Sequence, residues 1–416
     1  MKSYDKIRIG VIIMLMSIGL CSCSLLSPYR GLRPSDYSKK EVKNEIIKFY
    51  KEWNDTYIRK DDTSGGKYVY WKADSVNRDN TATVSEAHGF GMLILVNMAN
   101  IDNKNSDIYK EDYDDFIRFY NRHRSSIINE FMCWQMIFSD DGEIINIDNA
   151  SSATDGDIDI AYSLILADEL WGSDGEFDYI SMAGEIIKAF RINMVSEGKY
   201  IFVGDSILKY SKHSDLIRSS DFILDALYKF KEIDKDNEDV WDGIIEEIGN
   251  ILNAITTDYS ENTGLIPDFI LSTPKGYTPA LGKKLETEND GDFGYNACRT
   301  PYRIGSFSLY DKDDQYDYYL KAYSKWTKET TKINPGKLNA GYYIINGPVG
   351  TPLPNSDYES LAFIAPLLIS ASLDKDQDWY DAIYEYIVNR DIKDDGYYGN
   401  TLKMLVLIVG TGNKIY

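Results

Sequence analysis

The sequence predicts an all-α domain, and three observations lead there. Apolar residues recur at helical spacing in Val42, Ile46, Ile47, Tyr50 and Trp53, and again over Gly91 to Ala99, Ile158 to Leu170, Phe222 to Phe230, Val240 to Ile255 and Leu361 to Leu373. Alternating runs of strand type are few. No Pro-, Ser- or Gly-rich linker divides the chain after residue 40. A chain of 416 residues can build one large core or two ordinary domains, and the missing linker favours one domain over residues 41–416. Between the helical segments lie loops rich in Gly, Asp, Asn and Pro: Asp61 to Lys67, Asp140 to Gly156 and Ser272 to Asn296. Loops of that length in a compact domain usually carry function. No short-period repeat is visible, which disfavours a solenoid.

A targeting segment precedes the domain. Lys2, Lys6 and Arg8 form a basic start, and Ile9 to Leu20 an apolar stretch too short to span a bilayer comfortably. Leu20-Cys21-Ser22-Cys23 fits a bacterial lipoprotein cleavage site. Residues 1–22 would then be a signal peptide, Cys23 the lipidated first residue, and residues 23–40 a linker. That makes an exported cell-envelope lipoprotein, tethered to a membrane and otherwise soluble. The alternative is an ordinary signal peptide or uncleaved anchor with incidental cysteines. Only Cys133 and Cys298 belong to the folded part, too few for a disulfide framework, although one bridge stays open.

The formal net charge is −21. An acidic body repels phosphates, which argues against nucleic acid. It suits a cationic polymer such as chitosan, and equally well solubility alone. The 33 Tyr, 15 Phe and 7 Trp offer flat apolar faces on which sugar rings pack, although abundance by itself says little.

Several chemistries drop out. His88, His123 and His213 form no HExxH or other zinc spacing. There is no G-x-S-x-G elbow and no Walker A loop. Asp155-Gly156-Asp157-Ile158-Asp159 suggests a calcium loop, but the sixth position from Asp155 is Ile160 and the twelfth Leu166, so an EF-hand is excluded. No metal or organic cofactor is expected. Carboxylate chemistry remains. Glycoside hydrolysis needs one protonated carboxyl and one carboxylate on opposite sides of a sugar. The acid belongs among apolar groups that raise its pKa. Glu86 enters an apolar helix in Thr83-Val84-Ser85-Glu86-Ala87-His88-Gly89-Phe90-Gly91-Met92. The competing reading is a first-turn glutamate after a Ser85 N-cap.

Four ordered segments resemble glycoside hydrolase family 8. Ser85-Glu86-Ala87-His88-Gly89-Phe90-Gly91-Met92 resembles that family's S-E-x-x-G-[YF]-G-M motif, and Ala153-Thr154-Asp155-Gly156-Asp157-Ile158-Asp159-Ile160-Ala161 its A-[ST]-D-[AG]-D-x-x-[IM]-A signature. Asn296-Ala297-Cys298-Arg299-Thr300-Pro301-Tyr302-Arg303 resembles its [DN]-A-x-R-x-P-[WY]-R segment, and Tyr397-Tyr398-Gly399-Asn400-Thr401-Leu402 its chain end. The resemblance runs over about residues 40 to 416. It implies an (α/α)6 barrel, an inverting mechanism and Glu86 as proton donor. In the better-known branch the base is the aspartate that opens the third motif. Here that position is Asn296, and an amide cannot take a proton from water. A second branch, including chitosanases and mixed-linkage glucanases, carries asparagine there and takes its base from a preceding loop. The Ala87-His88 pair also looks more like that branch. In the loop 283–292 Glu286 is the closer match to that base and Glu288 the alternative.

The resemblance further implies that Asp155 binds the sugar at the cleavage point, unless it merely caps its helix. Tyr295, Asn296 and Arg299 would contact subsites, with a buried structural ion pair the alternative for Arg299. Trp134 and Phe222 would stack on sugars, unless they are core. The expected protein is a monomeric inverting hydrolase of β-1,4-linked polysaccharide, chitosan or β-glucan, probing the chain internally. The competing readings are a non-catalytic glycan-binding lipoprotein that has lost its base, and a sugar epimerase or polysaccharide lyase on the same barrel. Too few histidines weigh against the epimerase.

Overall fold

The computed structural model describes residues 29–71, 80–197, 199–207, 211–311 and 314–415. The expected signal peptide 1–22 and the expected lipidation site Cys23 lie outside them. In chain order the α-helices are α1 (Lys39–Tyr57), α2 (Ser85–Ile101), α3 (Ser106–Arg122), α4 (Thr154–Trp171), α5 (Tyr179–Ala189), α6 (Leu224–Ile233) and α7 (Glu238–Asp258). They continue with α8 (Thr300–Tyr310), α9 (Asp317–Thr331), α10 (Leu361–Ile364), α11 (Leu367–Asp374), α12 (Gln377–Val388) and α13 (Tyr397–Gly410).

Burial sorts these helices into two rings. In α2 every residue but Glu86 and Asn100 is buried, and in α13 every residue but Tyr398. Helices apolar all round must be enclosed. α2 packs on α4, α4 on α6, α6 on α8, α8 on α11, and α13 on both α10 and α2, which closes the inner ring. α10 and α11 are two pieces of one inner element, interrupted at Pro366, which has no N–H to continue the ladder. The outer helices are amphipathic. α3 buries Tyr109, Tyr113, Phe116, Ile117 and Tyr120 along one stripe. α1 lies on α13, α3 on α2, α5 on α4, α7 on α6, α9 on α11 and α12 on α11. This is an (α/α)6 barrel.

Short antiparallel strands decorate it, where the sequence showed few: β1 (Ile58–Asp61), β2 (Gly66–Val69), β3 (Thr81–Val84), β4 (Gln135–Phe138), β5 (Ile144–Asn146), β6 (Leu216–Arg218), β7 (Phe269–Thr273) and β8 (Gly276–Pro279). They form the sheets β1-β2, β3-β4-β5 and β6-β7-β8. At three to five residues each they are too short for alternation to register in sequence.

The stretch expected to be linker is not free along its whole length. Leu32 donates its amide to Ser372 Oγ at 2.6 Å, Arg33 Nη1 donates to the Thr411 carbonyl at 2.6 Å, and Ser35 Oγ to Asp381 at 2.7 Å. Residues 29–38 are therefore laid on the ends of the C-terminal helices, because their polar groups find partners there. Ser38 and Glu41 then open α1 with a capping box. Cys133 and Cys298 are free and buried, so the bridge left open by the sequence does not form.

Candidate active site

Strand β3 delivers the first turn of α2, where Val84 occupies the N-cap and Ser85 is already helical. Ser85 Oγ is buried and caps nothing, so the capping explanation of Glu86 does not hold. The Ser85 amide instead donates to the Trp134 carbonyl at 3.0 Å. Two glycines let α2 meet α4. A Cβ on Gly156 would lie 2.6 Å from the Ser85 backbone, and one on Gly89 would lie 2.7 Å from Asp159 Cβ. The glycines in the first two motifs thus place the first turns carrying Glu86 and Asp155 side by side. His88, between them in sequence, is buried and packs on Phe116 and Phe119, with Nε2 3.1 Å from the Phe116 carbonyl. Burial holds its pKa down to about 3, so it stays neutral.

Around these turns lies a network of charges. Arg299 Nη1 donates to Glu86 Oε2 and, at 2.8 Å, to Asp155 Oδ2. Arg218 Nη2 takes the other Asp155 oxygen at 2.8 Å, and its Nε donates to Asp221 at 2.8 Å. Burial pushes the Asp155 carboxyl up, but Arg218, Arg299 and Arg303 together hold it well below the usual carboxylate range. Glu86 goes the other way: burial raises its pKa, with the Asp155 charge adding to it and Arg299 opposing. Burial also lifts Asp221, to about 7, against the pull of Arg218. Beneath them Arg303 pairs with Asp159 through two bonds of 2.7 and 2.6 Å. Two neighbouring carboxyls thus have their pKa values driven apart, which is how one site keeps an acid and an anion together.

The second half of the site is a loop. Asp290 is buried and accepts the amides of Lys284, Leu285 and Thr287 at 2.8, 2.7 and 2.7 Å. It folds the loop that displays Glu286, whose Oε2 accepts from Asn296 Nδ2 at 3.0 Å. Asn296 Oδ1 in turn accepts from Arg299 Nη2 at 2.9 Å. One amide and one guanidinium therefore join Glu286 to Glu86. Asp268 fixes the turn below, accepting from the Asn296 and Ala297 amides at 3.0 and 2.6 Å. Burial raises its carboxyl to about 8, against the Ala297 and Gly294 amides and helped by the Glu286 charge. Glu288 is exposed, and its carboxylate makes no bond to Asn296.

The aromatic candidates separate. Trp134 and Tyr295 are 38% and 43% exposed, free to take a sugar face. Tyr295 rests on Phe363 with ring centroids 5.0 Å apart, and its hydroxyl meets that of Tyr358 at 2.8 Å. Phe222 does not belong with them. It is only 4% exposed and part of the core, so its ring cannot stack on substrate. The residue follows the turn that holds Ser220 and Asp221, and the helical run taken to begin at Phe222 begins at Leu224. Sequence reasoning missed Arg218, Asp221 and Asp268, as well as Ser220, whose Oγ accepts from Arg299 Nη2 at 2.8 Å, and gave Tyr398 no role of its own. Arg218 and Asp221 carry an i, i+3 charge pairing, a signal too common to single them out.

The family model for glycosyl hydrolases family 8 matches residues 47–412. The chain belongs to glycosyl hydrolase family 8. This O-glycosyl hydrolase is 32% identical over 385 residues to a beta-glucanase of Niallia circulans, covering 92% of the chain and 88% of the relative. It is 30% identical to an endoglucanase of Bacillus sp. strain KSM-330, over 92% of the chain and 80% of the relative. The apo structure of a beta-1,3-1,4-glucanase from Paenibacillus sp. X4 superposes with a TM-score of 0.82 at 31% identity, over 92% of this chain and 95% of that one. A cold-adapted family 8 xylanase shares the fold at 15% identity and a TM-score of 0.74, over 91% and 93% of the two chains. In this family 8 enzyme residues of all four motifs meet at the site, the fourth through Tyr398, whose hydroxyl donates to the Tyr295 carbonyl at 2.8 Å.

Proposed function

We propose that this family 8 enzyme is an endo-acting β-glucanase that inverts at the anomeric carbon by single displacement. Glu86 donates a proton to the glycosidic oxygen, and Glu286 takes one from the water attacking the opposite face. Such a water needs carboxyls about 6.5–9.5 Å apart. The observation behind this reading is the 3.0 Å hydrogen bond from Asn296 to Glu286. An amide cannot replace a lost base, but it can aim a carboxylate supplied by another loop. That also speaks against a glycan-binding protein without a base. Asp155, held charged by two arginines, offers a fixed anion beside the reacting sugar, where positive charge develops. Trp134 and Tyr295 supply the flat surfaces.

The β-glucanase names of the relatives at 30–32% identity favour glucan over chitosan. Reducing-end release from lichenan, carboxymethyl cellulose, chitosan and xylan, with the product anomer followed by NMR, tests the reading. Release from lichenan or cellulose of the anomer opposite to the substrate linkage is expected. Exclusive release from chitosan, or retention of configuration, would overturn it. The N-terminal pattern supports a lipoprotein anchored through Cys23 in the cell envelope. Mass spectrometry of the exported protein should find a diacylglyceryl group on Cys23, and Cys23→Ser should release the protein from membranes.

A further inference from the structure

The overall charge is strongly negative, but one groove beside the active site is not. The β6-β7 pair carries the site at one end, where Arg218 is opposite Phe269 and Asp268 precedes the strand. Two residues further along, about 7 Å at strand rise, Leu216 is opposite Leu271. There a groove of about 310 Å³ opens, lined by Leu216, Leu271, Lys212, His213, Lys283, Lys284 and a single acid, Asp215. Lys212, Lys283 and Lys284 are exposed, and among the described residues none of the three forms an ion pair. Some lysines elsewhere are neutralised by acids, such as Lys67 by Asp112 and Asp115 and Lys414 by Asp225; what sets Lys212, Lys283 and Lys284 apart is that they line one concavity with a single acid. In a chain with 66 acidic against 45 basic residues, unpaired lysines converging on one concavity make a local field opposite to the global one.

We infer that this groove binds an acidic group, a carboxylate or phosphate, borne by the glycan whose backbone lies in the neighbouring active site. The inference rests on the reading of the chain as a polysaccharide hydrolase and adds a class of substrate: glucan with acidic substituents. Three ammonium groups on flexible stems suit a single charged oxygen group better than a planar, bidentate recognition. The apolar floor of Leu216 and Leu271 gives the attached sugar ring a surface to rest on. The groove is also tied to the catalytic loop. The backbone amides of Lys284 and Glu286 share one Asp290 oxygen, so a lysine of the groove and the proposed base stand on the same loop. At this end of the site a cationic polymer meets repulsion, although the net charge of the chain favours it.

The test uses the full chain carrying Glu86→Gln, so that binding is read without hydrolysis. Affinity electrophoresis compares a neutral β-glucan with its carboxymethylated and phosphorylated derivatives at low and high salt. Retardation by at least one charged derivative, several-fold above the neutral glucan and abolished near half-molar salt, is expected. The triple variant Lys212→Ser, Lys283→Ser, Lys284→Ser should lose that preference while binding neutral glucan as before, with its melting temperature unchanged. The carboxymethyl and phosphoryl arms distinguish the two sources of charge. Equal retardation on neutral and charged glucans, or a preference that survives the triple variant, overturns the inference. Because no turnover is measured, that failure leaves the catalytic reading untouched, whereas a fully active Glu86→Gln enzyme would sink the catalytic reading alone.

Discussion

The two proposed catalytic carboxyls stand on opposite kinds of structure. Glu86 sits on the first turn of an inner helix whose other residues, Asn100 apart, are buried. Its backbone cannot shift without disturbing α4, against which Gly89 and Gly156 press it. Glu286 stands on an exposed loop held by the carboxylate of one buried residue, Asp290. The comparison teaches a division of labour. An acid needs a raised pKa, which burial in a rigid ring of helices provides. A base must reach a water from across the sugar, and a loop can bring a carboxylate there without altering the barrel.

The sharpest way to break the comparison is Glu86→Gln. Activity on glucan should fall by about 10²–10⁴-fold, the usual worth of general acid catalysis, with the melting temperature unchanged. Glu286→Gln should cost about 10²–10³-fold, while Glu288→Gln stays near the parent enzyme. Steady-state kinetics of all three variants settles which loop glutamate matters, and an unaffected Glu286→Gln would end its role as base. Asp290→Ala attacks the loop without touching either carboxyl. Misplacing a reacting group by about 1 Å can cost about 10²-fold, so kcat should fall about 10- to 100-fold with a much smaller change in melting temperature. The equivalent damage on the acid side, at Gly156, should appear instead as lost stability, because the clash there is with backbone.

The smallest expected effect concerns pH. As the proposed acid Glu86 must carry a proton to work, and burial raises its pKa, so activity should be retained above the ordinary glutamate value of about 4.3 and lost as pH climbs through the raised value. Asp155→Asn removes a neighbouring negative charge that helps raise it, leaving Arg299 and Arg218 less opposed. The alkaline limb of the kcat/KM profile should therefore move to lower pH. A limb that stays in place would show that Asp155 acts on the sugar and not on Glu86.

Much of the acid side was legible in the sequence because its residues are local. Glu86, Gly89 and the apolar run that follows belong to one helix, and Asp155 and Gly156 to another. Several outer helices escaped notice. α9 and α12 bury tyrosines and threonines, such as Tyr319, Tyr323, Thr327 and Tyr384, on faces that look polar in sequence. Phe222 was misassigned for the opposite reason. An aromatic ring looks the same in sequence whether it lies on a cleft or beneath it, and only burial distinguishes the two. The acidity of the chain also read too simply. Asp205, Asp268, Asp290 and Asp292 are buried and spend their carboxylates on backbone amides of the loops, which says nothing about the charge of a substrate.

By itself the sequence determined the helical class and the family, and singled out Glu86 as the proposed acid, since periodicity and short motifs are properties of neighbouring residues. It also determined that Asn296 cannot be the base, because that follows from the chemistry of an amide. Only the tertiary structure decided what Asn296 does. Its two side-chain atoms bridge Glu286, ten residues before it, and Arg299, which reaches Glu86 from another part of the chain. Preference for Glu286 over Glu288 gains its support in the same way. Two glutamates two residues apart in a loop are equivalent in composition, and the hydrogen bond that separates them belongs to the loop as folded around Asp290.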